Sequence, residues 1–98
     1  MEFEWDEAKR QSIIAERQVD ILFAAAIFNG LVVTEVDRRR DYGEERLISL
    51  GLVDGEAYVV VHTERDGITR VITAWKGGRS GKRKYQASLA RRDQPHER

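Results

Sequence analysis

The sequence predicts an α+β domain in which two N-terminal helices precede a four-stranded antiparallel sheet and a C-terminal helix (ααββββα). Two observations predict it. The spacing of apolar residues changes from a helical to a strand-like period after Asn29-Gly30, and Asp-Gly pairs at 54–55 and 66–67 separate three strand-like runs. The chain has 98 residues, enough for one domain with a small core. We expect residues 1–93 to form that domain and residues 94–98 to be a disordered tail.

Two helices are predicted before the sheet. Asp6 is a suitable N-cap for a helix over residues 7–17, because its side chain can accept a hydrogen bond from a free backbone N–H of the first turn. Asp20 can cap a second helix, in which apolar residues recur at helical spacing at Ile21, Ala24, Ala25 and Phe28. Asn29-Gly30 is typical of a helix C-terminus and ends this second helix.

Four strands are predicted over residues 31–36, 46–52, 56–63 and 68–75. The Asp-Gly turns fix the register of the last three strands, which should therefore form an antiparallel meander. The third strand is apolar at every position from 57 to 61, as expected of a central strand covered on both faces. After Gly77-Gly78, Ser80 is the predicted N-cap of a third helix that runs to about Arg92, with Tyr85 and Leu89 as its apolar pair.

The composition excludes several classes of protein. There is no cysteine, so disulfides, zinc–thiolate sites and thiol nucleophiles are excluded. The two histidines, His62 and His96, lie far apart, and we expect no metal site and no cofactor. The longest apolar run, residues 21–28, is far shorter than the roughly 20 residues that span a bilayer, and the acidic N-terminus does not resemble a signal peptide. We expect a cytoplasmic protein without a membrane partner.

The charge is unevenly distributed along a chain that is neutral overall. From Lys76 onward there are eight cations and two anions, a balance of +6, so the preceding residues sum to −6. A segment with such an excess can bind an anionic polymer. Lys76 and Arg79 flank two glycines, where the backbone can approach a phosphate closely, and the cluster continues through Lys82, Arg83 and Lys84. The alternative is a solvated, solubilising loop.

Four short motifs resemble, in the right order, the BrnT toxins of bacterial type II toxin–antitoxin modules. The resemblance covers residues 3–85, and its motifs are Phe3-Glu4-Trp5-Asp6 with Ala8-Lys9, Asp41 to Arg46, His62 to Arg65, and Arg70 to Ala74 with Lys76. It implies a RelE-like fold and a ribonuclease that inhibits translation. It also implies a BrnA-like antitoxin as neutralising partner, through which alone the toxin would contact operator DNA.

The chain departs from the family pattern at a few positions. Ile13 replaces an Asn, Glu16-Arg17-Gln18 replaces Lys-His-Gly, and Ala74-Trp75-Lys76-Gly77-Gly78 replaces Ala-Arg-Lys-Ala-Thr. These departures motivate an alternative function, a non-catalytic module that binds RNA or the antitoxin. Another alternative is a scaffold that serves only as a co-repressor.

RNA cleavage without a metal requires a base for the 2′-OH, an acid for the departing 5′-oxygen and cations for the phosphorane between them. Arg70 is the first candidate cation, because it shares a predicted strand side with the apolar Ile72 and Ala74; the alternative is an ion pair with Glu64. Lys76 and Arg79 are further catalytic candidates. His62 titrates near neutral pH and is the candidate acid or base, although a hydrogen-bonded structural histidine is the alternative.

Aromatic and basic residues near these candidates are expected to bind RNA. Trp75 adjoins the basic cluster and can stack on a base. Tyr85 can stack or donate a proton, but its pairing with Leu89 equally predicts core packing. Arg46 and Arg65 are RNA-binding candidates through the family resemblance alone.

Overall fold

The computed structural model describes residues 1–92, which form a five-stranded mixed sheet with helices on both faces. The elements in chain order are β1 (Glu2–Glu4), α1 (Glu7–Arg17), α2 (Ile21–Ala24), a 3₁₀-helix (Ala25–Asn29), β2 (Val33–Val36), β3 (Leu47–Val53), β4 (Glu56–Arg65), β5 (Ile68–Lys76) and α3 (Gly78–Arg92). The strand order across the sheet is β1-β5-β4-β3-β2. The predicted tail, residues 94–98, lies outside the described residues. None of the helices between residues 1 and 92 is long and apolar enough to cross a membrane.

The predicted four-stranded antiparallel sheet after two N-terminal helices is wrong. A strand, β1, precedes the first helix and pairs in parallel with β5, with Glu2 opposite Ile68 and Glu4 opposite Arg70. Three residues are too few for a strand period to be visible in the sequence, so only the tertiary structure reveals this pairing. The second predicted helix is a single α-helical turn that continues as the 3₁₀-helix.

The other four strands and their connections are confirmed. β2 to β5 pair antiparallel in sequence order, and β4 is the central strand. Both residues of each Asp-Gly turn have positive φ: 49° and 80° at Asp54 and Gly55, 51° and 81° at Asp66 and Gly67. These values define type I′ turns, whose twist matches that of the flanking strands.

The helix N-termini were predicted correctly for α1 and α2 but not for α3. Asp6 accepts a hydrogen bond from the Lys9 N–H at 3.1 Å, and Asp20 accepts one from the Leu22 N–H at 2.9 Å. Ser80 does not cap α3, which begins two residues earlier at Gly78. The reason is tertiary: the Gly77 N–H donates to the Ala57 carbonyl at 2.8 Å, which ties the start of α3 to β4.

One face of the sheet, which we call the closed face, is covered by α1, α2 and the 3₁₀-helix. Its core contains Ile21, Ile27, Val60 and Ala74, each at most 1% exposed. Gly51 is required here, because a Cβ at this position would lie 2.7 Å from the Ile27 Cβ. The 3₁₀-helix can therefore pack directly on the backbone of β3.

The opposite face, which we call the α3 face, is covered only in part. α3 packs on it through Tyr85 against Leu50 and Ala57. Residues of β5 on this face contribute to a groove and a pocket described below. The functional side chains lie on this incompletely covered surface.

Candidate functional site

A groove of about 430 Å³ lies between α3 and the segment around residues 35–39, and we call it the α3 groove. Its apolar lining includes Val33, Ile48, Leu50, Val59 and Trp75, and its polar lining Glu35, Arg39, Lys76, Ser80 and Lys84. An apolar floor bordered by cations suits a ligand that has both flat rings and negative charge.

The strand register brings these residues together. Val59 of β4 lies opposite Leu50 of β3 on one side and Trp75 of β5 on the other. Because side chains alternate between the two faces of a strand, all three share the α3 face. Glu35 lies opposite Ile48, on the same face.

A β-bulge places Arg70 on the α3 face as well. The pairing of β4 with β5 shifts between Val61 and His62, so that Thr73 lies opposite Val61 and Arg70 opposite Thr63. Ala74 instead lies in the core of the closed face. The prediction that Arg70 shares a side with Ala74 is therefore wrong, because an extra residue in one strand reverses the alternation.

Two lysines of the basic cluster reach the α3 groove. Lys76 is the exposed last residue of β5, and Lys84 lies on α3 with its Nζ 3.9 Å from Glu35 Oε1. Ser80 lies one helical turn before Lys84 and lines the same groove. A carboxylate, a hydroxyl and two ammonium groups thus lie around one apolar floor.

Asp37 is a buried carboxylate that positions a third cation, Arg39. Its side chain is 0% exposed and accepts hydrogen bonds from Nε and Nη2 of Arg39, both at 2.8 Å. The hydroxyl of Tyr42 donates to the same carboxylate at 3.2 Å. The Arg39 hydrogen bonds above all lower the pKa of Asp37 well below its usual range, so it stays ionised. Arg39 is thereby held on the groove wall.

Trp75 lies close to two guanidinium groups. The central carbon of Arg39 is 5.5 Å and that of Arg17 5.9 Å from its ring centroid, distances typical of cation–π contacts. Arg17 also donates hydrogen bonds to Thr73 Oγ1 at 2.9 Å and to the Ala74 carbonyl at 3.2 Å. Arg17 and Trp75 are both departures from the BrnT pattern, and they contact each other.

A second concavity, of about 200 Å³, is lined by Asp6, Lys9, Glu44, Arg46, Arg70, Val71 and Ile72, and we call it the Arg46 pocket. It brings together two predicted site residues, Arg46 and Arg70. Arg65 does not line it, but donates to Glu44 at 2.9 Å from outside.

His62 lies on the closed face, inside the core, and is 3% exposed. Its Nε2 is 2.7 Å from Ser49 Oγ and its Nδ1 3.0 Å from Glu64 Oε1, and its ring lies edge-on to Phe28 at 5.0 Å. Burial lowers the pKa of His62, while Glu64 acts in the opposite direction. The arrangement has the order of a serine–histidine–carboxylate triad, but Ser49 is 0% exposed and cannot meet a substrate. The acid–base role of His62 remains a prediction.

The remaining predicted residues are dispersed. Tyr85 is 7% exposed and donates to the Leu31 carbonyl at 2.8 Å, as core packing predicts. Arg79 and Lys82 line a separate concavity beside Glu56, and the exposed Arg83 does not line the α3 groove. An α-helix has 3.6 residues per turn, so consecutive basic residues of α3 point in different directions.

Sequence reasoning missed Glu35 and Asp37, while it left open whether the run Arg38-Arg39-Arg40 is a solvated loop or extends an RNA path. Glu35 could have been found from alternation along β2, which places it on the side of Val33. No local signal distinguishes Asp37 and Arg39 from other charges of a polar loop. Among residues 1–92, no group of three or more histidine, aspartate or glutamate side chains is placed to hold a metal ion.

Residues 5–80 match a family model described as the ribonuclease toxin BrnT of type II toxin–antitoxin systems. The match covers well over half of the chain, and the chain therefore belongs to this family of ribonuclease toxins. Membership in a type II system implies an antitoxin as partner. No curated protein sequence matches the chain.

Proposed function

We propose that this BrnT family member is a metal-independent endoribonuclease that cleaves RNA in the α3 groove. Free in the cytoplasm it inhibits translation, and a BrnA-like antitoxin neutralises it. The observation that carries the proposal is the composition of the groove, where an apolar floor with Trp75 is bordered by Lys76, Lys84 and Arg39. RNA combines flat bases with a charged backbone, and the family is one of ribonuclease toxins.

Trp75 binds the base of a nucleotide, and the cations bind its phosphate. Stacking of a base on an aromatic ring contributes about 1–3 kcal/mol to the binding free energy, whatever the base. Arg39 retains N–H groups beyond the two that bind Asp37, and these can donate to phosphate oxygens. The buried Asp37 keeps Arg39 in place before RNA arrives, so little conformational entropy is lost on binding.

The chemistry follows from the groups around the floor. Glu35 accepts the proton of the 2′-OH, and the 2′-oxygen attacks the adjacent phosphorus. Arg39 and Lys84 stabilise the dianionic phosphorane, and Lys76 gives a proton to the 5′-oxygen as the P–O5′ bond breaks. The products are a 2′,3′-cyclic phosphate and a 5′-hydroxyl. The reaction as proposed uses side chains only.

The test is cleavage of single-stranded RNA by the purified chain in the presence of a chelator. Wild type should give fragments that end in cyclic phosphates. Lys76→Ala should reduce the rate about 10²–10⁴-fold, the usual loss when a group that transfers a proton in the transition state is removed. Arg91→Ala, which removes a charge from the last turn of α3, is the matched control and should leave the rate unchanged.

Three outcomes would contradict the proposal. Cleavage only after addition of a divalent metal would remove metal independence. RNA binding without cleavage by folded wild type would indicate the non-catalytic module instead. Equal rates for Lys76→Ala and wild type would show that the reaction does not take place in the α3 groove.

In cells, expression of the chain alone should arrest growth, and co-expression of the antitoxin should restore growth.

A further inference from the structure

Arg46 has unused hydrogen-bonding capacity in a fixed position. Its guanidinium carbon lies 4.0 Å from the centroid of the Tyr42 ring, and the Tyr42 hydroxyl is anchored on the buried Asp37. The side chain of Arg46 is 26% exposed, and its buried Nε has no hydrogen-bond partner among residues 1–92. Its nearest carboxylate, Glu44, lies 3.8 Å from Nε, beyond hydrogen-bond distance. Because Nε is buried, the outer nitrogens Nη1 and Nη2 are the donors through which Arg46 can bind an external anion.

The carboxylates around the Arg46 pocket already have partners. Asp6 Oδ1 accepts the Lys9 N–H at the start of α1, and Glu44 Oε2 accepts from Arg65 at 2.9 Å. Arg70 lies 3.4 Å from Glu4, longer than a good charge-assisted hydrogen bond. Arg46 and Arg70 thus have only long contacts to carboxylates, 3.8 Å to Glu44 and 3.4 Å to Glu4, and both guanidiniums keep further N–H donors for a ligand beside the ammonium of Lys9.

The Arg46 pocket and the α3 groove lie along the same strand on the same face. Arg70 and Lys76 stand near opposite ends of β5, roughly 15–20 Å apart by the rise of a strand. Arg39 and Arg46 also belong to one loop, and both depend on Asp37, directly or through Tyr42. One buried carboxylate thus organises cations at both places.

We propose that Lys9, Arg46 and Arg70 form a second phosphate-binding site, which holds the backbone of the same RNA strand several nucleotides from the bond that is cleaved. The inference rests on the proposed function for the identity of the polymer. A planar guanidinium with free donors can bind two oxygens of one phosphate. The substrate class is therefore single-stranded RNA long enough to reach both sites, and short oligonucleotides should be poor substrates.

The test is binding of 2′-O-methyl RNA, which lacks the attacking hydroxyl and so reports affinity whether or not the chain cleaves RNA. Two lengths are compared, a dinucleotide and a strand of about 12 nucleotides, within the site sizes of single-strand-binding folds. Arg46→Gln should weaken binding of the long strand about tenfold or more and reduce its salt slope by about 0.7, the loss of one phosphate contact. Dinucleotide binding should not change.

Arg38→Gln removes the same charge from the same loop and is the matched control, which should bind both probes as wild type does. Arg70→Gln, in the opposite wall of the pocket, gives an independent variant if Arg46→Gln fails to fold. Long-strand affinity and salt slope equal to wild type in the folded variants would overturn the second site. So would an equal loss for both probes, which would place Arg46 in the groove itself. If wild type binds but does not cleave unmodified RNA, the proposed function fails while the second site stands.

Discussion

The two faces of the sheet carry similar polar groups and differ in what covers them. On the closed face Ser49, His62 and Glu64 are linked by hydrogen bonds, and Phe28 packs against the His62 ring. On the α3 face Glu35 and Lys84 lie 3.9 Å apart beside an open apolar floor. The first set has the residue types of an active site, but its Ser49 and His62 are buried at 0% and 3% exposure and cannot meet a substrate, whereas the second set lines an open groove.

The comparison shows that residue types alone do not indicate which face carries the active site. On the closed face Thr34 lies within hydrogen-bond distance of Ser49, and Thr69 donates a hydrogen bond to Glu64, both at 2.7 Å. Each polar side chain of this network therefore has a partner inside the protein. Such a network joins β2, β3, β4 and β5 and stabilises a unique packing. On the α3 face donors remain available, as Arg46 shows. Function is expected where polar groups are ordered but not mutually satisfied.

The largest expected effect is the difference in cleavage rate between Glu35→Gln and Glu64→Gln. Glu35→Gln should reduce RNA cleavage about 10²–10⁴-fold, because the proposed base is lost. Glu64→Gln should leave the cleavage rate near that of wild type, since Glu64 lies on the closed face. Rates are measured on the same RNA after both variants are shown to be folded by circular dichroism. A large loss for Glu64→Gln with full activity for Glu35→Gln would reverse the assignment of the two faces.

Gly51→Ala should destabilise the closed face by about 1–3 kcal/mol, because its Cβ would overlap Ile27 in a packed core. Urea unfolding measures the change in the free energy of unfolding. Gly30→Ala is the control, because nothing lies within 4 Å of a Cβ there and its φ of −123° suits any residue. Equal stability of the two variants would show that the 3₁₀-helix can move away from β3.

His62 should make stability depend on pH. Burial lowers its pKa below the ordinary value of 6.5, so the unfolded chain binds the proton more readily than the folded one. The free energy of unfolding should therefore be constant above 6.5 and fall as the pH drops through and below that value. The comparison is between wild type and His62→Gln over about pH 5 to 7, above the range in which carboxylates titrate. The same slope in both proteins would exclude His62 as its source.

The smallest expected effect is a gain in stability. Gln18 ends α1 with φ 58° and ψ 34°, a left-handed conformation that favours glycine. Gln18→Gly should stabilise the chain by up to about 1 kcal/mol and raise Tm by a few degrees. Calorimetry measures the shift. A lower Tm would mean that the entropy glycine adds to the unfolded chain outweighs the relieved backbone strain.

Much of the fold could be predicted because its signals are local. Asp6, Asp20 and the two Asp-Gly turns act within a few residues, and each has its predicted effect. β1 could not be predicted, because its three residues form a strand only through pairing with β5. The start of α3 was misplaced for a similar reason, since the hydrogen bond from Gly77 to Ala57 outweighs the capping preference of Ser80.

The candidate site was predicted only in part. Lys76, Lys84 and Trp75 line the α3 groove as the basic cluster and its neighbouring tryptophan indicate. Glu35 and Arg39 come from segments far away in sequence, and nothing local links them to Lys76. They meet because β2, β3, β4 and β5 are adjacent in the sheet.

By itself the sequence determined the strands of the meander, their turns, the first two helix caps, the family and the place of the basic cluster along the chain. Only the tertiary structure decided which side chains face one another, which face is closed, and that Arg70 lies on the α3 face after a bulge. The physical reason is the sequence distance over which each kind of interaction acts. Turn and cap preferences depend on neighbouring residues, whereas burial and strand alternation across a bulge depend on partners far along the chain.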